Sequence, residues 1–375
     1  MGQSPRAQSK YLKDHKEITQ HLTLMFPSQH MRSFSTDDIL TGETAGLLRS
    51  YQEGIGVWMD IFDSSHTYQN EVVRHSLSSP LLMHAACALS AKQMSLTQNK
   101  FLWEPVSSRF YGKSLSLLIN DLTEQSTDRE LLLAATILLC SYELLAQPGI
   151  DYQRHLYGAH TLISSRNIDE EGTAFEKASF WIYARQDVAL ALVNERPTLM
   201  PPAKWPTPTK NAGSLEDRVG NKILWMLAMV MEAKFKSANT NWTDTELTNF
   251  ESLVSEIDSC WAGLPSHVRG VRMKDALLEE ESLFRVWFCT PSASALCLYY
   301  HMAKILAYEC LLERLHELPP RTERGEELLR SIGPHARSIA STSLSSDLTD
   351  GALVVAVNPI FYGNPRPLLI SEQES

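Results

Sequence analysis

Apolar side chains recur every three or four residues in a succession of blocks between Tyr51 and Trp205, and this spacing restricts the fold. Residues three or four apart lie on one face of an α-helix, whereas a strand places alternate residues on one face. Blocks with the helical spacing cover residues 51–65, 79–95, 110–122, 131–145, 152–166 and 180–206. The sequence therefore predicts an all-α fold, built as a multi-helix array of packed helical hairpins.

The helical spacing continues toward the C-terminus. It predicts helices over residues 216–238, 243–261, 291–318 and 323–343, and a helix start or an extended buried piece over 350–363. A single helix is also expected over 42–62. Its buried face would contain Leu47, Tyr51, Ile55, Trp58 and Phe62.

Three helix starts carry capping signals. Ser79 directly precedes a proline, which is the usual order of an N-cap and the first helical residue. Thr127 with Glu130, and Thr243 with Glu246, have the spacing of a capping box. We therefore expect helices to begin at these three positions.

Five prolines lie within residues 197–213, where the fixed proline ring excludes regular helix. We expect a long ordered loop near 197–213, anchored by the apolar side chains of Leu199, Met200 and Trp205. The loop is also the predicted boundary between two helical halves. The predicted organisation is a partly disordered N-terminal tail over 1–42, a first half over 43–213, a second half over 214–363 and a short C-terminal tail over 364–375.

Composition excludes several classes of protein. The 375 residues are 43% hydrophobic and carry a net charge of −10, which does not favour direct binding to a phosphate backbone. No secretory leader and no apolar run of about 18 residues is visible, so we expect a soluble intracellular protein without membrane contact. The six cysteines are scattered without a C-x-x-C pair, so a zinc site of that signature is not expected.

Six charged or polar side chains interrupt otherwise apolar helices: Glu143, Arg154, His155, Arg185, Gln186 and Asp187. Two interpretations are open, a catalytic site with perturbed pKa values or a hydrogen-bonded network that fixes how the helices dock. The network is favoured, because no recognisable nucleophile, metal partner or glycine-rich phosphate loop accompanies these residues. We therefore expect no catalytic residues, no cofactor, no metal and no enzymatic activity.

Several short motifs occur in a recognisable order. They are Trp-x-Asp-x-Phe-Asp at 58–63, Tyr-Glu at 142–143, Arg-His-Leu-x-Gly-Ala at 154–159, Phe-Trp-x-x-Ala-Arg-Gln-Asp-Val at 180–188, Pro-Pro-x-x-Trp at 201–205 and His-x-Ala-Lys-Ile-Leu at 301–306. In this order they resemble the regulatory, or middle homology, region of fungal binuclear zinc-cluster transcription factors. The resemblance covers residues 50–363.

The resemblance implies an all-helical regulatory module of a transcriptional regulator, without accepted catalytic residues. It implies protein partners, either the transcription machinery or a zinc-cluster-bearing homologue, and a small-molecule effector as a further expectation. Control of a metabolic or secondary-metabolite gene cluster is expected as well. The expected location is the nucleus, with the cytoplasm as the alternative because no clear import signal is visible.

Two departures from the family pattern shape these expectations. Family members carry a six-cysteine zinc cluster at the N-terminus, whereas no cysteine precedes residue 50 here. They also continue with further helices beyond the region of Asn358, Pro359 and Gly363. We therefore expect a chain clipped at both ends and without autonomous DNA binding. The alternatives are an enzyme or small-molecule-binding protein evolved on the same helical scaffold, and a truncated dominant-negative fragment.

Overall fold

The computed structural model describes residues 40–124, 128–146, 153–164, 172–206, 213–236, 242–273, 283–315, 323–345 and 348–364. The N-terminal helices are α1 (Gly42–Glu53), α2 (Ile55–Met59), α3 (Thr67–Ser76), α4 (Pro80–Thr97), α5 (Lys100–Glu124), α6 (Arg129–Ala146), α7 (Gln153–Ser164) and α8 (Ala174–Val193), followed by a 3₁₀ turn at Pro202–Lys204. The remaining helices are α9 (Leu215–Phe235), α10 (Asp244–Ala262), α11 (Ser266–Arg269), α12 (Pro291–Leu315), α13 (Glu323–Ser343) and α14 (Asp350–Gly363).

Strand structure within these ranges is confined to one short antiparallel pair, β1 (Val271–Arg272) and β2 (Val286–Trp287). The predicted all-α class is therefore confirmed. The segment over 350–363, for which a helix start and an extended piece were both open, is the helix α14.

Neighbouring helices pack as hairpins around two central helices. Helix α4 packs along α5 and α6, and α12 packs along α9, α13 and α14. Both central helices are apolar around most of their circumference, which is typical of a helix surrounded by others. One hydrophobic cluster contains residues from both predicted halves, and Phe62 and Tyr299 meet in it with ring centroids 6.1 Å apart. The boundary at residue 213 stays a prediction.

Two of the predicted helix starts are confirmed. The Ser79 hydroxyl accepts a hydrogen bond from the Leu82 backbone N–H, and Thr243 forms a capping box with Glu246. These bonds satisfy N–H groups that have no partner inside the helix. The third predicted cap, Thr127, lies outside the described residues.

The single helix expected over 42–62 is wrong. The helix breaks at Gly54, whose backbone (φ −112°, ψ −99°) is not helical, and resumes at Ile55. Glycine permits this break because it has no Cβ, which here would lie 2.9 Å from the Ser50 carbonyl oxygen. Leu47 and Tyr51 are nevertheless buried, as the spacing predicted.

The described part of the proline-rich loop is anchored as expected. Met200 and Trp205 are buried, and the Trp205 indole N–H donates to the Met200 carbonyl at 3.0 Å. The Trp205 ring also meets Phe180 and Trp181 of α8 edge to face. Residues 207–212 lie outside the described ranges.

Candidate functional site

Asp187 fastens the proline-rich loop to helix α8. It is fully buried, and its carboxylate accepts from the Leu199 N–H at 2.9 Å, the Met200 N–H at 3.2 Å and the Tyr183 hydroxyl at 3.1 Å. Burial raises the pKa of the Asp187 carboxyl, whereas these three donors act in the opposite direction. Both carboxylate oxygens are therefore engaged in holding the loop.

Gln186 and Arg185 bond to two other elements. The Gln186 amide donates to the Ser141 hydroxyl at 2.7 Å and to the Ile137 carbonyl at 3.3 Å, which joins α8 to α6. The Arg185 guanidinium donates to the Met59 carbonyl at the end of α2. A side chain that satisfies the last carbonyls of a short helix fixes the end of that helix.

Glu143 forms a separate contact between α5, α6 and α7. Its Oε1 accepts from the Tyr111 hydroxyl at 2.6 Å and lies 2.9 Å from Nδ1 of His155, an ion-pair distance when the imidazole is protonated. The Tyr111 ring stacks on Tyr142 with centroids 4.2 Å apart. Arg154 is exposed. Its positive charge lowers the pKa of the Tyr111 hydroxyl, whereas burial and the Glu143 carboxylate raise that pKa by more.

The structure therefore brings Glu143 and His155 together and assigns Arg185, Gln186 and Asp187 to different neighbours. The three consecutive residues point around α8 toward α2, α6 and the proline-rich loop respectively. Glu143 Oε2 and Gln186 Oε1 are buried without a hydrogen-bond partner among the described residues. The role of all six residues stays a prediction.

Asp60 was not among the predicted site residues. It is buried, and its two oxygens accept from the Tyr68 N–H at 2.9 Å and the Gln69 N–H at 2.8 Å, in the first turn of α3. The N-cap residue of that helix, His66, provides no side-chain bond, so Asp60 caps it from a distance. Burial raises the Asp60 pKa to about 7, against the lowering effect of the two N–H groups.

A second carboxylate that the sequence analysis missed joins the two predicted halves. Asp217, near the start of α9, accepts from the Ser64 N–H at 3.0 Å, from the Ser64 hydroxyl at 2.5 Å and from the Ser214 N–H at 2.8 Å. Ser64 lies in the turn that precedes α3, so this contact couples residues 153 positions apart. Its position three residues after Ser214 was a capping-box signal that could have identified it.

Polar contacts around α12 are of another kind. The buried Lys304 ammonium lies 2.6 Å from Oδ2 of Asp258 on α10 and 4.5 Å from the centroid of the Tyr308 ring. His301 and His335 face each other between α12 and α13, with their Nδ1 atoms 2.7 Å apart. Burial lowers the pKa of His301 to about 3 and that of His335 to about 4, so the pair shares a hydrogen bond between neutral rings.

Two cavities of the described structure lie away from the predicted polar residues. One, of about 400 Å³, is lined by the starts of α3 and α8, with Asn70, Glu71 and Phe175 among its residues. Another, of about 120 Å³, is lined by Phe288, Thr290 and neighbours. The described residues contain no group of three or more histidine, cysteine or acidic side chains that could hold a metal ion. None of the described helices is long and apolar enough to cross a membrane.

Comparison with known proteins finds a family that matches part of the chain. Residues 46–216 match the family described as the fungal specific transcription factor domain. The chain is also similar to the transcription activator AMTR1 of Alternaria alternata, with 22% identity over 452 aligned positions. That alignment covers 85% of this chain and 58% of the relative, so the chain spans less than two thirds of the relative's length. No solved structure matches the chain at a significant level.

The matched segment extends from α1 to the start of α9 and contains Asp60, Glu143, His155 and all three polar residues of α8. The motifs that carried the resemblance between residues 58 and 205 lie within it. The predicted resemblance is therefore confirmed over residues 46–216, which match the fungal specific transcription factor domain family.

Proposed function

We propose that this chain is a nuclear transcriptional regulator whose helical domain acts through contacts with other proteins. The family match and the similarity to a transcription activator support this proposal. The structural observation that carries it lies within the matched segment, where backbone N–H groups of the proline-rich loop donate to both oxygens of Asp187. In this proposal the polar residues of α8 position neighbouring elements and take no part in a bond-breaking step.

DNA is reached, in this proposal, through a partner that supplies a zinc cluster. The net charge of −10 supports this, because binding to the phosphate backbone needs clustered Lys and Arg. That partner is a homologue that carries the cluster, and the transcription machinery is the other expected protein partner. The regulated genes are those of a metabolic or secondary-metabolite cluster, by resemblance to the family.

A tethering assay tests the proposal. The full chain is fused to an unrelated DNA-binding domain, and transcription of a reporter with the matching site is measured. We expect output to change severalfold relative to the DNA-binding domain alone. The Asp187→Ala fusion is the control, because it releases the proline-rich loop and should lose this effect. Unchanged output with a stable, expressed fusion would contradict a regulatory role.

A gel-shift assay tests the part of the proposal that concerns DNA. The purified chain alone should bind duplex DNA weakly and without sequence preference. Tight, salt-sensitive and sequence-specific binding by the chain alone would contradict it, because such binding requires a direct base-reading element.

A second candidate function is the sensing of a small-molecule effector. The unpartnered, buried oxygens of Gln186 and Glu143 favour it, since a donor from a ligand or a water would satisfy them. Native mass spectrometry of the chain purified from a fungal host would test this. A copurified small molecule that is lost in Gln186→Leu supports sensing, whereas an unliganded wild-type chain, or equal ligand occupancy with and without the substitution, removes the candidate.

A further inference from the structure

We propose that the outer edge of strand β1 is a docking site for an extended peptide in which apolar and acidic residues alternate, and which pairs with β1 in the antiparallel direction. The described residues contain one sheet, the pair of β1 and β2, and this sheet has two outer edges. A strand edge carries unpaired backbone N–H and C=O groups and pairs readily with another extended chain. This inference does not depend on the proposed role in transcription.

The outer edge of β2 is covered by helix α13. The backbone N–H of Phe284, just before β2, donates to the Ser341 hydroxyl at 3.2 Å, and that of Val286 donates to the Ser345 hydroxyl at 3.0 Å. Both serines belong to α13 or directly follow it. Strand β2 is therefore fixed to the body of the protein, and β1 provides the remaining edge.

The backbone of Arg272 points outward from this remaining edge. Met273 donates its N–H to the Arg285 carbonyl at 2.9 Å, so the next pair of the ladder, Arg272 and Val286, is a position without hydrogen bonds between the strands. The N–H and C=O of Arg272 point away from β2, and neither has a hydrogen-bond partner within the described ranges. One residue of an antiparallel peptide strand would satisfy both groups.

The exposed face of the hairpin determines which peptide residues are apolar. Val271 and Met273 lie on one face of β1, together with Trp287, which is directly opposite Val271 in the register. All three are exposed, Val271 by 46% and Trp287 by 45%. A peptide strand beside β1 would place every second side chain next to this apolar face. We therefore expect apolar residues at those positions.

The other peptide positions lie on the side of Arg272. This side chain is exposed, and its Cζ lies 4.5 Å from the centroid of the Phe284 ring, which holds the guanidinium beside the strand. Arg269, at the end of α11, is exposed as well, and neither arginine forms an ion pair with a described residue. A guanidinium binds a carboxylate through two parallel hydrogen bonds. We therefore expect Asp or Glu at these positions.

The charge around the hairpin differs from that of the whole chain. Residues 264–273 and 283–290 contain no Asp or Glu, whereas the chain carries a net charge of −10, which repels an acidic peptide elsewhere on the surface. The connecting sequence, residues 274–282, lies outside the described ranges and contains Asp275, Glu279, Glu280 and Glu281. These acidic residues are the alternative occupant of the arginines, and the experiment has to separate them from a peptide.

Fluorescence anisotropy with synthetic nine-residue peptides tests the proposal. The acidic peptide has valine at the odd positions and glutamate at the even positions, and its neutral counterpart has glutamine in place of glutamate. The full chain should bind the acidic peptide with a Kd below about 1 mM and at least about tenfold more tightly than the neutral one. Arg272→Glu should weaken this binding at least about tenfold. Arg330→Glu, with the same charge change at an exposed arginine of α13, is the control and should leave it unchanged.

Backbone methylation of the acidic peptide tests the pairing with the strand edge. In an antiparallel strand the residue opposite Arg272 shares its face, so the glutamate N–H groups point toward β1 and the valine N–H groups point away from it. A peptide methylated at its glutamate nitrogens should lose binding at least about tenfold, whereas one methylated at its valine nitrogens should retain it.

The same titrations on a variant with Glu279, Glu280 and Glu281 replaced by glutamine remove the competing charges of the connecting sequence. Binding of the acidic peptide by the wild type, or by this variant alone, supports the proposal. It is overturned if neither chain binds the acidic peptide, if the neutral peptide binds equally well, or if Arg272→Glu has no effect. A peptide methylated at glutamate that binds at least as tightly as one methylated at valine also overturns it.

Discussion

Buried carboxylates of helices α1–α8 accept from backbone N–H groups, whereas the buried lysines of α9–α12 pair with acidic side chains. Asp60 and Asp187 each hold two N–H groups of another element. Lys304 lies against Asp258, and Lys234 lies between Glu309 and Glu313. These two carboxylates thus fix a loop and a helix start, and these two lysines pair helix faces. The division is not complete, because the buried Lys92 of α4 pairs with Glu104 of α5, and Asp217 of α9 accepts from backbone N–H groups.

This difference has an energetic consequence. Removing a carboxylate that satisfies buried N–H groups leaves those groups without a partner, and each costs about 1–3 kcal/mol. Removing a lysine whose acidic partner is half exposed leaves a carboxylate that water can solvate, as it can at Asp258, whose side chain is 49% exposed. We therefore expect the loss of Asp60 or Asp187 to destabilise the protein more than the loss of Lys304.

The largest expected effect is at Asp187. Asp187→Ala should lower the free energy of unfolding by about 3 kcal/mol, because the Leu199 and Met200 N–H groups lose their acceptor. Urea denaturation monitored by circular dichroism measures it. Asp244→Ala, at an exposed acidic residue in the first turn of α10, is the control and should cost less than about 0.5 kcal/mol. Similar losses in both variants would abolish the proposed contrast between the regions.

The second prediction concerns how stability depends on pH. Titratable groups in the two regions have opposite effects on it. The pKa values of His301 (about 3) and His335 (about 4) lie below that of an unfolded histidine, so unfolding binds protons. The contribution of these two neutral histidines to stability is complete above about pH 6.5, and it is lost as the pH falls toward their pKa values in the folded protein. Asp60, with its pKa raised to about 7, has the opposite sign, because the folded protein takes up a proton first as the pH falls.

We expect the histidine pair to dominate and the wild type to lose about 2 kcal/mol between pH 7 and pH 5. His335→Gln should reduce this loss, and Asp60→Asn should increase it. Denaturation midpoints measured at several pH values separate the two effects. A pH slope that neither substitution changes would show that both assignments are wrong.

The third prediction tests the contact between the regions at Gly220 of α9. A Cβ at this position would lie 2.4 Å from the Phe62 ring, so Gly220→Ala should destabilise the protein by about 1–2 kcal/mol despite the better helix propensity of alanine. Gly46→Ala is the matched control. No atom outside its own helix lies within 4 Å of that Cβ, so it should stabilise by about 0.5–1 kcal/mol. Thermal unfolding of both variants measures the difference, and the same sign for both would contradict the close packing.

The smallest effect is expected for Lys304→Met. Methionine preserves most of the buried volume and removes the cation, so stability should change by less than about 1 kcal/mol. Lys304→Ala should cost more, because it also leaves a cavity. A loss for Lys304→Met as large as that for Asp187→Ala would remove the distinction between the two regions.

Much of this fold follows from the sequence by elementary rules. Spacing of apolar residues located the long helices, and Ser79 and Thr243 marked their starts because capping is a local interaction. The break at Gly54 had a local signal in the glycine itself, but a helical pattern on both sides concealed it.

The partners of the polar residues could not be read in the same way. Asp187 was recognisable as a carboxylate in an apolar helix, yet its partners outside that helix are backbone N–H groups, which every residue except proline possesses. Asp60 lay within a recognised motif, and only packing reveals that it caps α3. His301 and His335 are 34 residues apart and meet only because α12 and α13 pack together.

Hydrogen exchange at the amides of Leu199 and Met200 tests most directly whether the polar groups of α8 act as structural joints. In the wild-type chain both amides should be protected, and in Asp187→Ala both should exchange at least about tenfold faster. Amides that exchange in the wild type as fast as in an unfolded chain would contradict the account, because Asp187 would then hold nothing in place.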